Sequence, residues 1–185
     1  MKKLLLLCLA LLMPVFVYLF LKTFGKNEFE VPVLFADSVT APVGCNEYAY
    51  KPPYLIPDSV LQRIGWNPTD SLTLLVFEDT SISNQHERRV HITRVFTAFK
   101  TEPLQVVKLY PGTVGDSAPA DRLATIRLEE ETYTRLRTCV FLLGRQQDAV
   151  ILDRHKRIRG QYNLLKREDA DRMIMEELNI LFEKY

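Results

Sequence analysis

The residues of this chain that could carry out thiol or metal chemistry are few and widely spaced. Its three cysteines are Cys8, Cys45 and Cys139, and no two of them have the Cys-x-x-Cys spacing of redox motifs. Cys8 lies inside an apolar N-terminal stretch, so Cys45 and Cys139 are the only pair open to a soluble domain. They could form a disulfide that ties an irregular segment to a helix. Alternatively, Cys139 is a small buried core residue and Cys45 a loop thiol.

The histidines and a pair of carboxylates offer no better site. His86 and His91 are five residues apart on a predicted helix, so they point about 140° apart and are predicted to be solvated. His155 falls in a charged turn and is predicted to be exposed. Glu78 and Asp79 end a predicted strand, where carboxylates could bind a hard cation, but solvated residues are the favoured interpretation. We therefore expect no catalytic, cofactor-binding or metal-binding residue.

Composition and net charge limit the number of domains and the classes of partner that we expect. The 185 residues are 47% hydrophobic and 25% charged, which suits one domain with an appendage. With 24 basic and 23 acidic residues, the net charge is +1. Because no basic excess marks a polyanion-binding surface, nucleic acid is not an expected partner.

The N-terminus predicts a membrane anchor. Leu4 to Leu21 carries no charged residue, and as a helix it would extend about 27 Å, close to the hydrocarbon thickness of a bilayer. A cleaved signal peptide is the rival interpretation, but no Ala-x-Ala-like site follows the stretch. Residues 1–26 are thus predicted to be a transmembrane anchor. Lys2 and Lys3 favour a cytoplasmic N-terminus, with the soluble domain on the periplasmic side of the inner membrane.

Residues 27–67 form a segment rich in proline and tyrosine, predicted to wrap around the domain. Phe29 to Phe35 is predicted as an edge strand because it contains a proline, and Asp58 to Arg63 as a helical turn. Packing against the domain and a recognition surface both explain its tyrosines, which are Tyr48, Tyr50 and Tyr54.

Residues 68–185 show alternating strand and helix patterns. A capping box of Asn84 and Glu87 is predicted to begin a helix whose apolar face includes Ile92 and Val95. The other predicted elements are strands Leu72–Phe77, Leu104–Tyr110 and Ala124–Leu128, a helix Glu130–Phe141, and a last helix of about Lys166–Phe182.

A predicted hairpin lies between the last two helices. The run Ala149–Leu152 and the run Ile158–Tyr162 are separated by a short charged turn. The basic cluster Arg154–Arg159 is interpreted as a charged hairpin tip, with an anionic headgroup or an acidic partner as the alternative. The element order predicts an α/β, thioredoxin-like sandwich with a closing β-hairpin and a C-terminal helix.

These last elements resemble the end of the Sco/SenC family, membrane-anchored thioredoxin-fold proteins that help to load copper into cytochrome c oxidase. The residues that carry the resemblance are Ile151–Asp153, Arg157–Tyr162, Glu168–Arg172 and, after the anchor, Gly25–Phe29. The resemblance implies a Cys-x-x-x-Cys pair after the first strand and a histidine before the hairpin, which together bind copper.

Those ligands are absent here. Phe77 to Asn84 contains no cysteine, Leu143 to Asp148 contains no histidine, and no proline follows Pro119 to supply the usual cis-proline. We therefore expect a membrane-tethered protein that is not an enzyme, a scaffold or accessory factor with a protein partner in respiratory oxidase assembly. The alternatives are a thiol-disulfide protein that uses Cys45 and Cys139, and a purely structural envelope protein.

Overall fold

The computed structural model describes residues 12–20, 30–63, 72–112 and 123–184. The chain divides into two units, Met1–Glu30 and Val31–Tyr185. In the first unit, residues 12–20 form helix α1. No helix within the described ranges combines the length and apolar character needed to cross a bilayer. Half of the predicted span Leu4–Leu21 lies outside those ranges.

The second unit is built on one five-stranded sheet. Its strands are β1 (Leu72–Phe77), β2 (Leu104–Pro111), β3 (Leu123–Leu128), β4 (Ala149–Leu152) and β5 (Ile158–Tyr162), in the spatial order β3-β2-β1-β4-β5. The first three strands are parallel, whereas β4 runs antiparallel to β1 and β5 antiparallel to β4. A parallel βαβ unit closed by an antiparallel hairpin is the thioredoxin-like arrangement, so the predicted fold class of this unit is confirmed.

Successive strand residues point to opposite sides of the sheet, and both faces are covered by other elements. Leu74 and Val76 face helix α3 (Ile82–Ala98) and the C-terminal helices, with Val95 and Leu178 in the same core. The C-terminal helices are α5 (Arg167–Arg172), a π-helical turn Met173–Glu177 and α6 (Leu178–Lys184).

The opposite face is covered by helix α4 and by the wrapping segment, here residues 34–63. Helix α4 (Glu130–Arg135) continues as a π-helical turn, Leu136–Val140. The wrapping segment includes the predicted helical turn, observed as α2 (Asp58–Arg63). Their buried side chains share one core with Leu75 and Phe77 of β1.

Two predicted local features are wrong. Residues 30–35 form no strand, because Phe35 turns the chain with a φ of 60°. The Leu34 N–H donates to the Ile158 carbonyl of β5 at 2.9 Å, and the Val31 carbonyl accepts the side chain of Arg159. The capping box at Asn84 is also wrong, since α3 begins earlier, at Ile82. Its N-cap is Ser81, whose side chain accepts the Asn84 N–H at 3.5 Å.

The tyrosines of the wrapping segment pack against the domain and cap the end of α4. The Tyr54 hydroxyl donates to the Val140 carbonyl and the Tyr50 hydroxyl to the Cys139 carbonyl, both at 2.8 Å. The last carbonyls of a helix have no partner within the helix, so these hydroxyls satisfy groups that would otherwise be left unbonded. Tyr54 itself is only 1% exposed.

We expect Tyr54→Phe to lower the free energy of unfolding by about 1–3 kcal/mol, because the buried Val140 carbonyl loses its donor while the ring packing is kept. Urea denaturation of the purified protein measures the change. Val43→Ala is the control, since Val43 is fully exposed and should shift stability by less than about 0.5 kcal/mol. Equal stability of Tyr54→Phe and the wild type would contradict this role of the hydroxyl.

Candidate functional site

In a thioredoxin-like redox protein, the thiol pair would lie between the carboxyl end of β1 and the start of α3. Here an aspartate occupies the helix N-terminus. One carboxylate oxygen of Asp79 accepts the Ser81 N–H at 2.9 Å, and the other accepts the Asn84 side-chain amide at 2.8 Å. The positive end of the 17-residue helix favours an anion at this place. Asp79 supplies that anion from within the chain.

Arg88 lies at the centre of a buried charge cluster on the next turns of α3. The Arg88 residue is 3% exposed, and its guanidinium contacts three carboxylates. Nε donates to Asp148 at 2.7 Å, Nη2 donates to Asp79 at 3.2 Å, and Nη1 lies 3.4 Å from Glu78. Burial opposes the charge of Arg88, but the hydrogen bonds and charges of Asp79 and Asp148 outweigh it and raise its pKa. Arg88 therefore stays a cation.

Glu78 is the member of the cluster whose buried carboxylate is least fully hydrogen-bonded. It is completely buried, and its Oε1 has no hydrogen-bond partner among the described residues. The Lys108 ammonium lies 3.7 Å from that oxygen. Burial raises the pKa of Glu78, although the charges of Lys108 and Arg88 act in the opposite direction. Burial with one unbonded oxygen thus makes ionisation of this carboxyl group more costly.

Asp148 connects the cluster to the hairpin side of the sheet. Its Oδ1 accepts the Leu164 N–H at 2.7 Å, and its own N–H donates to the Tyr162 carbonyl at 2.8 Å. Burial raises the pKa of Asp148, while the Leu164 and Arg88 bonds act against that rise. For Asp79, burial also acts upward, but the bonds from Arg88 and Asn84 prevail and lower its pKa.

The prediction of solvated carboxylates at positions 78 and 79 is therefore wrong for Glu78, whereas Asp79 keeps a side chain that is 42% exposed. The sequence contained one signal of this cluster. Arg88 precedes Ile92 and Val95 by four and seven residues, so it lies on the apolar stripe of α3. A cation on a buried stripe requires a buried counter-charge.

The three histidines lie apart from this cluster. His86 and His155 are exposed, as predicted. His91 is only 5% exposed, so its predicted solvation is wrong. Its Nδ1 lies 3.1 Å from Arg94 Nη1, and burial and the Arg94 charge together lower its pKa. Within the described ranges, no group of three or more His, Cys, Asp or Glu side chains is arranged to hold a metal ion.

Cys45 and Cys139 form a disulfide on the opposite face of the sheet. Their Cα atoms are 5.4 Å apart across 94 residues of sequence, and the two residues are 2% and 5% exposed. Cys139 lies in the π-helical turn that ends α4, so neither sulfur is at the N-terminus of a helix. The bond joins the wrapping segment to α4 beside the two tyrosine caps.

The basic cluster Arg154–Arg159 is organised by Asp153. The Asp153 carboxylate accepts the backbone N–H groups of His155 and Arg157 and the guanidinium of Arg157, at 2.8–3.1 Å. Arg159 is 3% exposed and donates to the same carboxylate at 3.2 Å. The interpretation of this cluster as a solvated tip is thus wrong for Arg159 and holds for exposed Arg154.

No protein-family model matches the chain, and no curated protein is significantly similar in sequence. Solved structures similar to it include Sco proteins. BsSco, described as a member of the Sco family of cytochrome c oxidase assembly proteins, is 11% identical with a TM-score of 0.49, covering 61% of this chain and 81% of that one. Copper-bound ScoI of Arabidopsis thaliana is 11% identical with a TM-score of 0.48, covering 64% and 88%.

A SCO1/SenC family lipoprotein of Bacillus anthracis is also similar. It is 7% identical with a TM-score of 0.47, covering 65% of this chain and 85% of that one. At such identities the likeness concerns the fold alone.

We expect Arg88→Met to lower the free energy of unfolding by about 3–5 kcal/mol, because it leaves Glu78 and Asp148 as buried carboxylates without their central cation. Arg89→Met is the matched control, since Arg89 is the exposed neighbour on the same helix. Chemical denaturation of both variants gives the comparison. Similar losses in the two variants would show that the cluster does not hold the fold together.

Glu78→Gln should change how stability depends on pH. The pKa of Glu78 is raised above its ordinary value of 4.5 in the folded state, so its contribution is fully present below that value and is lost as pH rises through the folded pKa. The stability of the Glu78→Gln variant relative to the wild type should therefore increase with pH, by at most about 1.4 kcal/mol per pH unit.

Urea denaturation at several pH values between about 4 and 8, the range that brackets a raised carboxyl pKa, measures this difference. Glu183→Gln, at an exposed position of α6, is the control and should run parallel to the wild type. A stability difference between Glu78→Gln and the wild type that stays constant with pH, or that falls as pH rises, contradicts a raised pKa of Glu78.

Proposed function

We propose that this protein is a membrane-tethered, non-catalytic thioredoxin-like protein that acts as a scaffold or accessory factor in respiratory oxidase assembly. The single observation that carries the non-catalytic role is the cluster around Arg88. Among the described residues, the end of the sheet where thiol chemistry would occur holds three carboxylates and two cations and no cysteine, and these charged groups contact one another.

The disulfide supports the same conclusion. A reactive thiol needs access and a lowered pKa, which the positive end of a helix dipole provides. Cys45 and Cys139 are buried, and Cys139 lies at the negative end of α4. A thiolate there would be disfavoured, so we assign this bond to holding the wrapping segment rather than to thiol exchange.

The proposed role in oxidase assembly is supported by the sequence. The strand-Asp-turn-Gly-x-Tyr pattern that resembles the Sco/SenC ending includes Asp153, Gly160 and Tyr162. Gly160 is required by packing, because a Cβ there would collide with the Tyr162 ring. The proposed membrane tether is supported by the uncharged stretch Leu4–Leu21, which has the length of a membrane span. A scaffold on the periplasmic side would present the domain to membrane-bound partners.

A Cu(I) titration of the full-length protein in detergent, against a competing chelator, tests the non-catalytic role. We expect no stoichiometric binding to the oxidised protein and none to the Cys45→Ser/Cys139→Ser variant. Tight binding that the double variant loses would identify a relocated copper site and overturn the proposal.

Deletion of the gene tests the proposed role in oxidase assembly. We expect reduced cytochrome oxidase activity that is restored equally by the wild type and by Cys45→Ser/Cys139→Ser, provided that the variant accumulates to the same level. Normal oxidase activity in the deletion strain would favour a structural envelope role instead. Rescue by the wild type alone would favour a thiol-dependent function.

A further inference from the structure

A cavity of about 400 Å³ opens at the carboxyl ends of the three parallel strands, next to the Arg88 cluster. Its volume falls in the range of about 300–1,000 Å³ that is typical of small-molecule sites. Open α/β sheets commonly bind ligands at this edge. Asp79, Thr80 and Gln85 line it from the β1–α3 side, and residues of β2 and β3 line the rest, namely Tyr110, Pro111, Thr125 and Arg127.

The strand register explains why β2 and β3 place polar groups together here. Lys108 pairs with Thr125 and Tyr110 pairs with Arg127 in the parallel ladder. Paired residues point to the same face, which at this end is the face covered by the N-terminal half of α3. Two hydroxyls and one guanidinium therefore converge on one cavity.

These three groups have no hydrogen-bond or ion-pair partner among the described residues. Arg127 lies over the Tyr110 ring, its guanidinium carbon 5.6 Å from the ring centroid, and no described carboxylate reaches it. Burial and the charge of Glu78 raise the pKa of Tyr110, so its phenol keeps its proton and remains a donor at neutral pH. The cavity thus offers donors without matched acceptors.

The charge around the cavity also favours an anion. Asp79 is the one carboxylate among the described residues that line the cavity, and its charge is already bound by Arg88 and Asn84. Burial and the charge of Glu78 raise the pKa of Tyr110, and the charges of Arg89, Arg127 and Arg88 act against that rise. The wall formed by the Tyr110 ring and Pro111 offers an apolar surface beside these cations.

We propose that this cavity binds a small organic oxyanion, whose charged group is held by the Arg127 guanidinium and by the hydroxyls of Tyr110 and Thr125. A planar apolar portion of the ligand lies against Tyr110 and Pro111. A guanidinium recognises carboxylate and phosphate groups through the same paired N–H donors, so the shared chemistry is that of an oxyanion. This proposal does not depend on a role in oxidase assembly.

Isothermal titration of the full-length protein in detergent with phenyl phosphate, benzoate and inorganic phosphate tests the proposal. We expect phenyl phosphate or benzoate to bind with one-to-one stoichiometry and more tightly than inorganic phosphate. Arg127→Gln should weaken binding about tenfold or more, because it removes a charged hydrogen-bond donor. Tyr110→Phe should weaken it by a smaller factor and keeps the ring, so the fold is retained.

Arg145→Gln is the matched control, since Arg145 is an exposed arginine outside the cavity lining. Circular dichroism of each variant checks that it is folded. The proposal is overturned if none of the three probes binds, if only inorganic phosphate binds, or if Arg127→Gln leaves binding unchanged. Equal weakening by Arg127→Gln and Arg145→Gln would indicate general charge attraction and would overturn it as well.

Discussion

The contact of the Arg88 guanidinium with three carboxylates is the interaction on which the arrangement of this domain depends. Glu78 and Asp79 follow β1, Asp148 precedes β4, and Arg88 belongs to α3. One side chain thus fixes the end of the central strand, the helix that follows it and the start of the hairpin. A buried guanidinium costs several kcal/mol to desolvate, and its bonds offset that cost only if all of its partners are in place. The geometry at this end of the sheet is therefore tightly specified.

This cluster occupies the place that thiol chemistry would need. A helix N-terminus stabilises an anion, and in a redox protein of this fold the anion is a thiolate. Here the Asp79 carboxylate takes that position and is bound by Ser81, Asn84 and Arg88. Among the described residues, this end of the sheet keeps an anion at the helix N-terminus without a thiol, and our proposal of a binding role starts from this arrangement.

The opposite face of the sheet is closed in a different way. The wrapping segment contributes Tyr54 and Ile56 to the core beneath α4, and its hydroxyls cap the carbonyls at the end of that helix. The Cys45–Cys139 disulfide joins the same two elements. Apolar burial, two capped carbonyls and one covalent bond thus act on one contact, so a segment without regular secondary structure becomes part of the core.

The sequence by itself determined the order and type of the elements, because hydrophobic periodicity is a local property. Strand β1, the hairpin of β4 and β5, and the amphipathic last helix were all predicted with nearly the observed bounds. The absence of cysteine near the start of α3 could likewise be read directly from the chain.

Only the tertiary structure decided the state of the charged residues. Glu78 and Asp148 are 70 positions apart in the chain, and nothing local to either of them shows that both contact Arg88. His91 and Arg159 are likewise buried, and Arg159 donates to the carbonyl of Val31, 128 positions away. Burial of a polar side chain depends on partners that the fold brings together from distant positions, whereas a strand or helix is encoded by its own neighbours.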